Sequence, residues 1–91
     1  MIVKIIKSTD DYEAGEIFEA GKEIWNTPKD CWRSATAEDL AEFFRNQSSY
    51  DESMESIAKE FCDMADVDFD SYDDPWSPLE AASEKLGVEI Y

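Results

Sequence analysis

Met54-Glu55-Ser56-Ile57-Ala58-Lys59-Glu60-Phe61-Cys62-Asp63-Met64-Ala65 carries the clearest structural signal in the chain. Its apolar residues Met54, Ile57, Ala58, Phe61, Cys62 and Ala65 step by three, one, three, one and three, the spacing that lines one face of an α-helix. On the C-terminal side, Asp66, Asp68, Asp70, Asp73 and Asp74 alternate with or flank Val67, Phe69 and Tyr72, and Pro75-Trp76-Ser77-Pro78 closes the run as a corner. Ser77-Pro78-Leu79-Glu80 has the form of a capping box with proline at the first helical position, opening a short helix through Leu79, Ala82 and Leu86. Gly87 is placed to end that helix in the left-handed conformation. Val88-Glu89-Ile90-Tyr91 then reads as a terminal strand paired with the first one.

On the N-terminal side, Thr36 opens a helix with Glu38 and Asp39 in its first turn and Leu40, Phe43 and Phe44 on its apolar stripe, and Asn46-Gln47-Ser48-Ser49 breaks it. Thr27-Pro28 is a further start signal, for a short segment to Arg33 that holds Trp32. Ser8, Thr9, Asp10 and Asp11 offer capping side chains for a helix reaching about Asn26, in which Tyr12, Ile17, Phe18, Gly21, Ile24 and Trp25 share one face. Trp25 reads as core on that basis. Ile2, Val3, Ile5 and Ile6 form a β-branched run expected to be a strand buried on both faces. The expected fold is α+β, a small two-stranded sheet from the N- and C-terminal segments packed with four or five short helices, in one domain spanning residues 1–91.

The chain of 91 residues has twenty-three acidic and eight basic residues and no histidine, a formal charge of −15. With 43% hydrophobic and 13% aromatic residues it is expected to fold rather than behave as a disordered acidic tail. Without histidine, a cysteine-protease or serine triad of the usual kind is excluded. The three glycines, Gly15, Gly21 and Gly87, make no phosphate-cradling loop. Asp66, Asp68 and Asp70 match positions one, three and five of an EF-hand loop. Position six, where glycine makes the sharp turn, is Ser71, and position twelve, where a bidentate glutamate belongs, is Ser77. The sequence therefore calls for no enzyme activity, no metal and no cofactor. Cys31 and Cys62 lack partners at metal-ligand spacing and read as small buried hydrophobes in a reducing cytosol. No apolar run approaches membrane-spanning length and the first residues do not resemble a signal peptide, so a cytoplasmic location and no membrane partner are expected.

The charge is uneven. Residues 51–91 hold thirteen acids against Lys59 and Lys85, a net of −11, whereas residues 1–50 hold ten acids against six bases, a net of −4. From Glu60 to Asp74 there are seven acids and no base. If Asp66 to Asp70 is extended, alternate carboxylates stand about 6.7 Å apart on one face, with Val67 and Phe69 turned inward. Duplex DNA displays one charge per roughly 1.7 Å of axis. The expected partner-binding residues are Glu60, Asp63, Asp66, Asp68, Asp70, Asp73 and Asp74, with Trp76 as an aromatic anchor for an arginine-rich surface or as a plug beneath the corner.

In size, acid excess and the carboxylates from Glu60 to Asp74, the chain resembles the small acidic inhibitors of phages and mobile elements, the DNA-mimic anti-restriction and anti-CRISPR proteins. That resemblance implies a stoichiometric inhibitor of a basic nucleic-acid-binding protein or complex in a host bacterial cell. It implies no direct binding of nucleic acid, which −15 would repel, and a monomer is favoured. The chain also resembles the immunity proteins that neutralise nuclease toxins, although their paired-tyrosine motif has no counterpart, since Tyr50 and Tyr72 stand alone. This second resemblance implies an acidic interaction protein that binds a basic protein without mimicking DNA.

Overall fold

Ile2–Ile5 forms the central strand, β1, of a three-stranded antiparallel sheet ordered β2-β1-β3, with β2 at Ile17–Glu19 and β3 at Trp32–Ser34. Those residues belong to the first of two structural units, Met1–Thr36 and Ala37–Tyr91, in a computed structural model that describes residues 1–91. Val3 stands opposite Phe18 and Ile5 opposite Trp32, so these cross-strand pairs share one face. Val3, Ile5, Ala20, Ile24 and Trp32 make the core there, with Tyr12 and Phe18 packed against it. Ile2 points to the opposite face and is also buried, but Ile6, expected in the same doubly buried run, lies beyond the end of β1 and is exposed, so the second face is covered only at its start.

The helix expected from Tyr12 to Asn26 is absent. Its capping side chains fold a loop instead: Thr9 Oγ1 accepts from the backbone N–H groups of Asp11 and Tyr12, and Ser8 Oγ accepts from that of Ala14. Gly15 then adopts φ +99°, a conformation that interrupts any helix and turns the chain so that Gly15 N–H donates to Ile5 O. The residues that follow, Ile17 and Phe18, satisfy their backbone groups on β1. The remaining apolar positions fall in a 3-10 turn, Lys22–Asn26, whose period of three sends neighbouring side chains in divergent directions. Ile24 is fully buried, and Trp25, expected in the core, is 58% exposed. Trp25 rests edge-on against Trp32, ring centroids 5.4 Å apart, with Lys29 Nζ 5.1 Å above its ring. Gly21, expected on an apolar face, is exposed, and the carboxylate of Glu23 occupies the space where a Cβ would stand. Thr27-Pro28 precedes only a 3-10 turn, Lys29–Cys31, before β3.

The second unit is helical and holds α1 (Ala37–Arg45), α2 (Glu55–Met64) and α3 (Trp76–Leu86), with α2 packed against both others. The helix read from Met54 to Ala65 is present: Ile57, Ala58, Phe61 and Cys62 are buried on α2, and Met54 and Ala65 are buried at its ends. Leu40 and Phe44 of the expected α1 stripe are buried together with Ala41, whereas Phe43 is half-buried. Phe44 and Phe61 meet with ring centroids 5.7 Å apart. Asp39, buried in the first turn of α1, sits where the helix dipole favours negative charge.

The terminal strand does not form. β2 and β3 occupy both edges of β1, so Val88–Tyr91 has no place beside the first strand. Gly87 ends α3 at φ +71° as expected, and the N–H of Val88 donates to Ser83 O. Beyond it, side chains hold the tail: the Arg45 guanidinium donates to Glu89 O, the Tyr91 hydroxyl to the Glu80 carboxylate, and Ile90 is buried. The α+β class therefore stands, with three strands and three α-helices joined by short 3-10 turns in place of two strands and four or five helices.

Burial and the neighbouring Asp63 raise the Cys62 thiol to about 11, whereas Cys31 is half-buried. A thiol-reactive disulfide reagent near neutral pH should therefore titrate Cys31 in the folded protein and Cys62 only after denaturation. Equal rates at the two cysteines would contradict this packing. Truncating Phe61 to alanine should destabilise the helical unit by about 3–5 kcal/mol, read from denaturant unfolding.

Candidate partner-binding surface

Charge divides between the two units more sharply than along the sequence halves. Residues 1–36 carry seven acids and five bases, a net of −2, and residues 37–91 carry sixteen acids and three bases, a net of −13. All eight expected site residues lie in the helical unit. Glu60 and Asp63 project from α2, Glu60 partly covered and Asp63 exposed, and Asp66, Asp68, Asp70, Asp73 and Asp74 are all exposed on the α2–α3 connection.

That connection is not extended. α2 ends in a turn where the N–H of Val67 donates to Cys62 O, and Asp66 takes the left-handed position at φ +58° that glycine usually fills. Phe69–Ser71 is a 3-10 turn. The regular 6.7 Å spacing of alternate carboxylates therefore does not apply, although Val67 is buried and Phe69 half-buried as the alternation required. The segment turns back along α2, because Asp70 Oδ1 lies 4.0 Å from Lys59 Nζ, which also meets Glu55 Oε1 at 3.3 Å. The acid run without a base in sequence thus has a base beside it in space. Hydrogen bonding to Glu55, then the charge of Asp70, raises the Lys59 pKa.

Two expected binding residues have structural tasks. Asp68 Oδ1 accepts from the N–H of Asp70, capping the 3-10 turn. Asp74 Oδ1 accepts from the N–H groups of Trp76 and Ser77, at 2.8 and 3.0 Å, and Ser77 Oγ–H donates to Asp74 Oδ2. The N-terminal cap of α3 is therefore Asp74, with Pro75 following it, and not the box expected at Ser77. These bonds, the one from Ser77 Oγ–H foremost, lower the Asp74 pKa.

Trp76 is half-buried and edge-on to both Phe44 and Tyr50, each with ring centroids 6.3 Å apart. It packs against both rings at the corner and remains partly exposed. A cavity of about 410 Å³ opens beside it, where Tyr50, Phe69 and Tyr72 meet Glu52, Glu55, Asp70, Asp73, Asp74 and Pro75. Tyr50 and Phe69 present near-parallel rings, 29° apart with centroids separated by 6.5 Å. Burial first, then the charges of Glu55 and Glu52, raise the Tyr50 phenol pKa. The cavity unites Asp70, Asp73 and Asp74 and leaves Glu60, Asp63, Asp66, Asp68 and Trp76 outside. Sequence reasoning missed Tyr50, Glu52, Glu55, Phe69 and Tyr72; aromatics bracketing an acid run were the available signal. No group of three or more cysteine, aspartate or glutamate side chains is arranged to hold a metal ion, and no helix is long and apolar enough to cross a membrane. Comparison with protein-family models, curated proteins and solved structures finds no match to this chain.

Asp66 and Asp74 should respond oppositely to substitution. Asp66→Gly removes a strained side chain and a repelling charge and should raise the melting temperature, whereas Asp74→Ala uncaps α3 and should lower it by a few degrees. Because the folded pKa of Asp74 lies below its unfolded value, its contribution is complete above the ordinary aspartate range near 3.8 and fades as pH falls through the folded value. The gap between parent and Asp74→Ala melting temperatures should close in that acid range. A gap that persists at the lowest pH would show that the carboxylate charge is not what caps the helix.

Proposed function

We propose that the helical unit docks by its acidic surface onto the basic nucleic-acid-binding site of another protein and inhibits it stoichiometrically, as a mimic of polyanionic DNA. The observation that carries this reading is the segregation of charge, −13 on residues 37–91 against −2 on residues 1–36. Charge serving only solubility has no reason to collect on one unit, where self-repulsion opposes folding. Complementary fields raise the rate of encounter with a basic groove and suppress binding to other polyanions. The protein itself is then neither an enzyme nor a nucleic-acid binder, and it works on a host defence enzyme of the restriction or CRISPR kind. An immunity-type interaction, with a basic protein bound but no nucleic acid imitated, is the second reading. It is favoured by the aromatic cavity, which suits a side chain better than it resembles a phosphate row.

Glu60, Asp63 and Asp66 have no capping task and lie outside the cavity, so they isolate the surface charge. The variant Glu60→Gln, Asp63→Asn, Asp66→Asn should melt at or above the parent temperature. Its capture of nucleic-acid-binding proteins from bacterial lysate, read by mass spectrometry, should fall by about tenfold or more. Undiminished capture, or a lower melting temperature, would contradict the proposal.

A further inference from the structure

We infer that the cavity floored by Tyr50, Phe69 and Tyr72 receives an arginine side chain of the partner protein, an inference that rests on the reading that the partner is basic. Three aromatic rings in one concavity of about 410 Å³ are the primary observation, since an acidic surface made only for repulsion has no use for them. Tyr72 is 42% exposed, and Tyr50 and Phe69 are each partly so, although the unit has an apolar core in which such rings are ordinarily covered. Aromatic faces attract cations, and a planar guanidinium also stacks on them, which an ammonium cannot do.

The carboxylates around the rings differ in what they have left to offer. Asp74 is committed to the cap of α3, and Glu55 and Asp70 share Lys59. Glu52 and Asp73 have no cation beside them, and they flank the aromatic floor. The negative charge of Glu52 and Asp73 along the lining disfavours a phosphate or an acidic peptide in this cavity. An apolar side chain would leave it unanswered. Arginine satisfies both features, with its fork of N–H donors towards Glu52 or Asp73 and its flat face on the rings. Arginine is also among the residues that most often dominate protein interfaces.

The test is an NMR titration of isotope-labelled protein with acetyl-Gly-Arg-Gly-amide, alongside the lysine and citrulline counterparts of the same peptide. The arginine peptide should shift resonances of Tyr50, Phe69 and Tyr72 and bind about threefold or more tightly than the lysine peptide, and the uncharged citrulline peptide should shift none of them. Tyr72→Leu, a change at an exposed ring, should retain the dispersed spectrum of the folded protein and lose most of the arginine preference. Phe69→Leu provides the same reading from the cavity floor. Equal binding of arginine and lysine, or shifts spread over the acidic surface without focus on these rings, would overturn the inference. Failure here with intact charge-dependent capture would reject the cavity alone. An arginine-selective cavity with capture unaffected at Glu60, Asp63 and Asp66 would reject the broader docking surface.

Discussion

The apolar seam of α2 is the constraint on which the helical unit depends. Ile57, Ala58, Phe61 and Cys62 are buried along it, and both other helices pack against it, in a unit whose sixteen acids face only three bases. Like charges at this density oppose compaction, and their repulsion is not relieved by many ion pairs: Lys59 and Arg45 are the bases seen pairing there. Burial of large side chains, at about 1.5–3 kcal/mol each, is what outweighs it. The acids can therefore be placed with some freedom on the outer surface, provided the stripe beneath them is kept.

Within that surface the carboxylates are not equivalent. Asp51, Asp68 and Asp74 cap turns and a helix by accepting backbone N–H groups, so part of the acid excess is spent on local structure that any small helical unit requires. Glu55 and Asp70 hold Lys59 between them and fasten the α2–α3 connection to α2. Among the acids from Asp51 to Asp74, those left over are Glu60, Asp63 and Asp66 on one stretch and Glu52 and Asp73 around the aromatic cavity, and they have no such structural task. A function carried by charge is most plainly sought in this remainder, because removing it relieves repulsion without uncapping anything.

The sequence made the helical unit legible and misread much of the sheet unit, for physical reasons. Long amphipathic periods such as Met54 to Ala65 admit one structure, and Gly87 has one use at the end of α3. Tyr12 to Asn26 satisfied a helical spacing by coincidence, since a loop, a three-residue strand and a 3-10 turn placed apolar residues at the same intervals. Gly15 at positive φ was the deciding residue, and its consequence depends on the pairing of β1, which is not local. The same non-local fact, two neighbours already on β1, removed the terminal strand. Among the site residues, the excess charge was visible in composition, but Asp74 as a cap and Tyr50 beside Phe69 were not. Each arises from a fold-back of the chain that no spacing rule contains.

Mimicry differs from simple attraction in one respect: imitator and nucleic acid must occupy the same site. Equilibrium competition between this protein and duplex DNA for a captured basic target measures that directly. Mutual exclusion is predicted, with the apparent dissociation constant for DNA rising in proportion to the concentration of the acidic protein and no ternary complex at saturation. A stable ternary complex, with DNA affinity unchanged, would contradict the claim that the helical unit takes the place of DNA.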